Sequence, residues 1–139
     1  MVAVSYNLFM PLGTADNPRT PVVFVHEFGH SFAGLADEYF SSEVAYQDFY
    51  NLKYEPWEPN ITTLVNFDAK WKDLLPTNTP IPTPLDDAHK DKAGVFEGGG
   101  YIAKGIYRPM DHCMMRDYAP FCPACSRAIL QMVDFLTDK

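Results

Sequence analysis

The segment His26-Glu27-Phe28-Gly29-His30 leaves this chain the least freedom. On a helix, residues four apart lie one turn above each other on the same face, close enough for both imidazoles to share one ion. Pro21 presets the φ of a first helical turn and Gly34 offers the natural stop, which favours a helix over the strand that Val22, Val23 and Val25 would otherwise support. On such a helix both histidines reach one ion while Glu27 sits beside them. Zinc suits that arrangement, because it takes nitrogen ligands at about 2.0–2.1 Å and completes an open catalytic site with a third protein ligand and a water. The pKa of that water falls toward about 7, and a neighbouring carboxylate can take its proton and pass it to a leaving amine, the role expected of Glu27. With ordinary amino-acid usage, a chain of this length carries the pattern by chance on the order of a few times in a thousand.

A third ligand is expected just beyond the helix. Gly34-Leu35-Ala36-Asp37-Glu38-Tyr39 lets the chain turn sharply at the glycine and return an oxygen to the metal. Asp37 is the first choice and Glu38 the competitor; both could instead be surface acids opening the next segment. The spacing departs from the metzincin pattern H-E-x-x-H-x-x-G-x-x-H, since Gly34 and Asp37 each arrive one residue late and the last ligand is acidic.

The 139 residues, 47% hydrophobic and 21% charged, fit one compact domain. Eleven basic against 18 acidic side chains leave a formal charge of -7, which disfavours a nucleic-acid groove or a polybasic membrane patch. No apolar run approaches the roughly 20 residues of a membrane span, and the opening MVAVSYNLFM lacks the regions of a signal peptide. Twelve prolines and 14% aromatics predict a loop-rich fold with Trp57, Trp71, Phe96 and Phe121 supplying buried area.

Along the chain, Tyr6 to Thr20 reads as an irregular lead-in. A short helix is expected from Ser41 to Tyr50, and an amphipathic one from Asn66 to Leu75, where Phe67, Trp71, Leu74 and Leu75 recur at helical spacing before Pro76. Residues 76–94 read as a proline-rich surface insertion, extended or polyproline-like at its start. Val95 to Tyr107 is expected to be a ribbon whose glycines permit positive-φ turns. A last helix is expected from Pro123 to Leu136, with Ala128, Ile129, Met132, Phe135 and Leu136 on its apolar face.

Together, HEFGHSFAGLADEYF, EPWEPNITTL, EGGGYIAKGIYRP and CMMRDYAPFCPACSRAI resemble the IgA-peptidase family of zinc metallopeptidases, over nearly the whole chain. The resemblance implies an α+β, zincin- or metzincin-like catalytic domain that is loop-rich and mainly helical. Only 25 residues precede His26, so residues 1–139 are expected to form the C-terminal portion of such a domain, with most of its N-terminal sheet absent. It further implies one catalytic zinc ion, a protein or peptide substrate such as immunoglobulin A, and a parent protein that is secreted or at the cell surface. Cys113-Met114-Met115 is similar to a methionine turn, with Met115 under the metal as a polarisable support. Tyr118, after that turn, would stabilise an oxyanion, with Tyr107 and Tyr39 as rivals. An inactive or binding-only remnant of such a peptidase is the alternative.

Cys113, Cys122 and Cys125 admit several readings. Cys122-Pro-Ala-Cys125 at a helix start could exchange disulfides, the rival function. Cys113 could instead form a disulfide with either of the others. Three thiolates on a structural zinc would need a fourth ligand, and His112 is badly placed beside Cys113. His89 reads as solvated and Asn60-Ile61-Thr62 as a discounted glycosylation match. Gly98-Gly99-Gly100 is no phosphate loop; Glu97 and Tyr101 beside it would lie near substrate at best, and Arg108 would hold a carboxylate or substrate.

Overall fold

A computed structural model describes residues 17–40 and 49–138. The helix expected from Ser41 to Tyr50 falls mostly on 41–48 and the lead-in mostly before residue 17, both outside the described residues. Helix α1 spans Thr20–Ala33 with Pro21 in its first turn. Asn17 starts it, its carbonyl accepting from the Thr20 amide at 2.9 Å and its side-chain oxygen from the Arg19 amide at 2.9 Å. The helix ends at Gly34, whose φ of 62° lets the Gly34 and Leu35 amides turn back onto the carbonyls of His30 and Gly29.

Strands β1 (Phe96–Gly99) and β2 (Ile102–Arg108) form an antiparallel hairpin. Its turn is Gly100-Tyr101, with φ of 55° and 65°. Two positive values in a two-residue loop match the twist of the flanking strands. Thr62 bridges the other side of β2 through paired bonds with Tyr107 at 3.0 and 2.9 Å. A single-turn helix α2 (Met114–Asp117) and helix α3 (Pro123–Leu136), with Cys122 at its N-cap, complete an α+β arrangement.

The helix expected over Asn66 to Leu75 is instead two 3-10 turns, Phe67–Ala69 and Lys72–Leu74. Tertiary anchors override the local periodicity. The Lys70 ammonium is buried and donates to the carbonyls of Pro56 and Glu58, each at 2.6 Å, while the Trp71 indole donates to the Gly94 carbonyl at 2.7 Å. Arg127 of α3 grips both Asp73 oxygens at 2.7 Å and the Lys70 carbonyl. Satisfying these groups needs a backbone break at Lys70, where ψ is -133°. The periodicity still names the inward residues, since Phe67 and Trp71 are buried.

The main core gathers Ala33, Leu35, Phe67, Trp71, Val95, Met115, Ala124 and Ala128 with the three cysteines, and a smaller cluster joins Ala36, Ile61, Ile102 and Ile106. Trp57 departs from expectation: it is 77% exposed, its ring lying against Gly34, where a Cβ would stand 2.6 Å from it. On α3 only the first half is covered, and Phe135 and Leu136 are exposed.

Gly29 is where α1 approaches the core most closely. A Cβ there would stand 2.7 Å from Met115 Sδ, 3.2 Å from Leu35 Cδ1 and 3.3 Å from Phe121 Cε1. Overpacking of this kind costs about 1–3 kcal/mol, partly offset by about 1 kcal/mol of better helix propensity. Gly29→Ala is therefore expected to lose up to about 2 kcal/mol by denaturant titration; a gain in stability would mean that Met115 is not wedged there.

Candidate metal centre

Helical spacing puts His26 and His30 one turn apart, with rings edge to face at 4.8 Å. Each ring is fixed from behind by a backbone carbonyl. His26 Nδ1 lies 2.8 Å from the Met114 oxygen and His30 Nδ1 2.6 Å from the Leu35 oxygen. A carbonyl can only accept, so both Nδ1 atoms carry the proton and both Nε2 lone pairs face forward.

Asp37 is brought to those lone pairs by the Gly34 turn. Residues 36–39 run extended between two neighbours: the Asp37 and Tyr39 carbonyls accept from Gly100 and Tyr101, while the Glu38 amide donates to the Met115 carbonyl at 2.7 Å. Asn60, fully buried, clamps the same stretch by bonding both the amide and the carbonyl of Ala36. Its amide is thus committed to the interior, which agrees with discounting the glycosylation match. Tyr101 donates its hydroxyl to Asp37 Oδ2. That leaves Oδ1 turned toward His26 Nε2 at 3.0 Å and His30 Nε2 at 3.3 Å, with the two Nε2 atoms 3.1 Å apart.

Three acceptor atoms therefore converge, and Asp37 Oδ1 is buried without a hydrogen bond. Such a cluster is repulsive unless a cation sits among its members. With bonds of about 2.0–2.1 Å, a tetrahedral ion sets its ligand atoms about 3.3–3.4 Å apart, close to the spacing seen here. The donor set fits a divalent metal. In the metal-free protein, protons on the histidine Nε2 atoms would stand in for the ion: burial would raise the Asp37 carboxyl, but hydrogen bonds from His26, His30 and Tyr101 then overcome it and hold the group well below the usual carboxylate range. Burial works against charge on His30, and the adjacent Asp37 outweighs it, so the pKa of His30 is raised.

Glu27 is 3% exposed and its Oε2 has no partner, a buried carboxylate oxygen left for something else to bind. Met115 is fully buried and packs under Gly29, between the two histidines in the sequence of α1. Tyr118 is 41% exposed, its ring 5.5 Å from that of His26. Glu38, the competing ligand, points the other way into the cysteines. The three thiols are free and buried, so no disulfide joins them; that burial also removes the exposure on which thiol exchange depends. Arg108 binds the Glu97 and Gly98 carbonyls at 2.7 and 2.8 Å and braces the hairpin from inside. His89 is paired with Asp86 at 2.6 Å.

Sequence reasoning missed Tyr101 and Asn60 as supports of Asp37. Tyr101 sat next to a noticed glycine run, and its φ of 65° is uncommon for a bulky residue. Its hydroxyl on Asp37 gives that backbone a function. Removing such an outer partner typically costs about 10–100-fold in metal affinity. Tyr101→Phe should weaken metal binding by about that factor in chelator competition, with the fold retained by circular dichroism.

Among curated proteins none matches the chain. The family model described as IgA Peptidase M64 matches residues 3–93 and 85–133. That match takes in the two histidines, the Asp37 turn, the hairpin and the methionine segment, and the chain therefore belongs to the IgA peptidase M64 family.

Proposed function

We propose that the chain is a zinc-dependent endopeptidase whose metal is held by His26, His30 and Asp37. The observation that carries this reading is the convergence of two Nε2 lone pairs and an unpartnered Asp37 oxygen within 3.3 Å, next to a Glu27 oxygen that is also unpartnered. Two nitrogens and one oxygen suit zinc, which leaves a fourth position for water. When bound, the ion lowers the pKa of a water toward about 7 and polarises a carbonyl oxygen.

The chain's own groups divide the remaining work. Glu27 takes a proton from the attacking water and delivers it to the departing amide nitrogen. Burial beside the histidines keeps its carboxylate from being dispersed by solvent. The exposed Tyr118 hydroxyl stabilises the carbonyl oxygen as it gains charge. Asp37, held by Tyr101 and Asn60, fixes the third corner, and Met115 sets the depth of α1. A buried methionine beneath the histidine helix supports a metzincin-like architecture for this reading.

The substrate is a protein or peptide, and immunoglobulin A is the first to test, since the family carries its name. A secreted or cell-surface parent protein accords with that substrate. The test is to strip the purified chain with chelator, restore zinc, and follow peptide-bond cleavage in immunoglobulin A and in a denatured protein. Cleavage that needs restored zinc supports the reading; a zinc-loaded chain that cleaves neither overturns it in favour of a binding-only role.

A further inference from the structure

A second cluster of buried ligand atoms lies behind the histidine centre. Glu38 is fully buried, its Oε1 accepts from Asn60 Nδ2 at 2.9 Å, and its Oε2 has no partner. Around it stand Cys113, Cys122 and Cys125, all buried. One atom from each of these four residues lies within 4.8 Å of all the others. An ionised carboxylate sharing that space with thiolates would cost several kcal/mol unless a cation compensated it, by the general cost of burying charge.

We propose that Cys113, Cys122, Cys125 and Glu38 form a second, structural zinc site, distinct from the histidine centre. The spacing suits a closed tetrahedral shell. Cys113 Sγ and Cys125 Sγ are 3.7 Å apart, whereas bonds of about 2.3 Å to a tetrahedral zinc place sulfurs about 3.8 Å apart. A disulfide needs about 2.05 Å and would leave the third thiol with Glu38. Cys125 Sγ lies 3.1 Å from Glu38 Oε1.

The surroundings favour one thiolate among the four ligands. Cys122 and Cys125 occupy the N-cap and first turn of the 14-residue helix α3, where the helix dipole supports negative charge. The Cys122 amide points at Cys113 Sγ and the Cys125 amide at Cys122 Sγ, each at 3.4 Å. Hydrogen bonds with Cys113 and Cys125 bring the Cys122 thiol down to about 5, whereas the bond with Cys122 pushes Cys113 up to about 11, and burial pushes Cys125 and the Glu38 carboxyl up. Metal binding displaces that proton from Glu38 along with those of the thiols. His112, adjacent to Cys113, turns away and pairs with Asp117. The fourth ligand comes instead from the far side of the chain.

Its effect is mechanical. Glu38 neighbours Asp37, Cys113 precedes the Met114 carbonyl that orients His26, and Cys122 and Cys125 open α3. One ion would tie these three segments together behind the histidine centre.

The test counts metal on the full chain purified with zinc present and thiols kept reduced. About two zinc ions per chain are expected, falling to about one in His30→Ala. Substituting cobalt in that variant should retain a sulfur-to-cobalt charge-transfer band, and prior alkylation of the thiols should abolish it. On wild type, titrating the thiols with a mercurial reagent should release one zinc as the three cysteines react, a measurement that needs no cysteine variant to fold. A single zinc lost entirely in His30→Ala, or two cysteines recovered as a disulfide from the chain as purified, would overturn the proposal. Failure of the histidine centre reads differently: zinc would then stay at one per chain and be released by the mercurial alone.

Discussion

Glu27→Gln is expected to keep zinc and lose peptide hydrolysis by about 10²–10⁴-fold, the usual contribution of a positioned general base. Glutamine has nearly the same shape, so α1 and both histidines should hold their places. It cannot take a proton from water. Glu27 contributes no ligand atom to the His26, His30 and Asp37 triangle, so metal content measured alongside cleavage separates the two roles. Full activity in this variant would sink the assignment of Glu27 as base, and loss of metal with activity would make it a ligand.

Asp37→Ala is expected to weaken the histidine centre by at least about 10²-fold. Zinc sites formed on folding are worth about 10 kcal/mol or more, so each of three ligands carries roughly 3 kcal/mol. The loss should be steeper than for Tyr101→Phe, which removes only the bond that aims the carboxylate. Competition with a chromophoric chelator measures both on one scale. Wild-type affinity in Asp37→Ala would leave two histidines as the whole protein contribution and remove the third ligand.

Where structure follows from local chemistry, the sequence was readable. Helix α1 has its proline, its period and its terminal glycine in one short segment, and the hairpin has glycine at the turn that needs positive φ. Helix α3 likewise announces itself through Pro123 and its repeat. Asn66 to Leu75 was misread because its decisive partners, Gly94, Glu58 and Arg127, lie far along the chain. The histidine pair was legible for the same reason as α1. Choosing between Asp37 and Glu38 was not, since it depends on how the loop is gripped by Asn60, Tyr101 and Met115. The fourth partner of the cysteines was hidden by the 74 residues between Glu38 and Cys113.

The stretch from Asp37 to Tyr39 has a consequence for how this protein can change. Neighbouring side chains on extended backbone point to opposite sides, so Asp37 meets the histidines and Glu38 the thiols. The segment has parity. Single substitutions elsewhere in the loop leave that phase intact, but adding or deleting one residue between Gly34 and Asp37 would exchange the two carboxylates and misfeed both clusters at once. Such a loop can drift in composition and not in length, which makes its residue count a stricter signature than its letters.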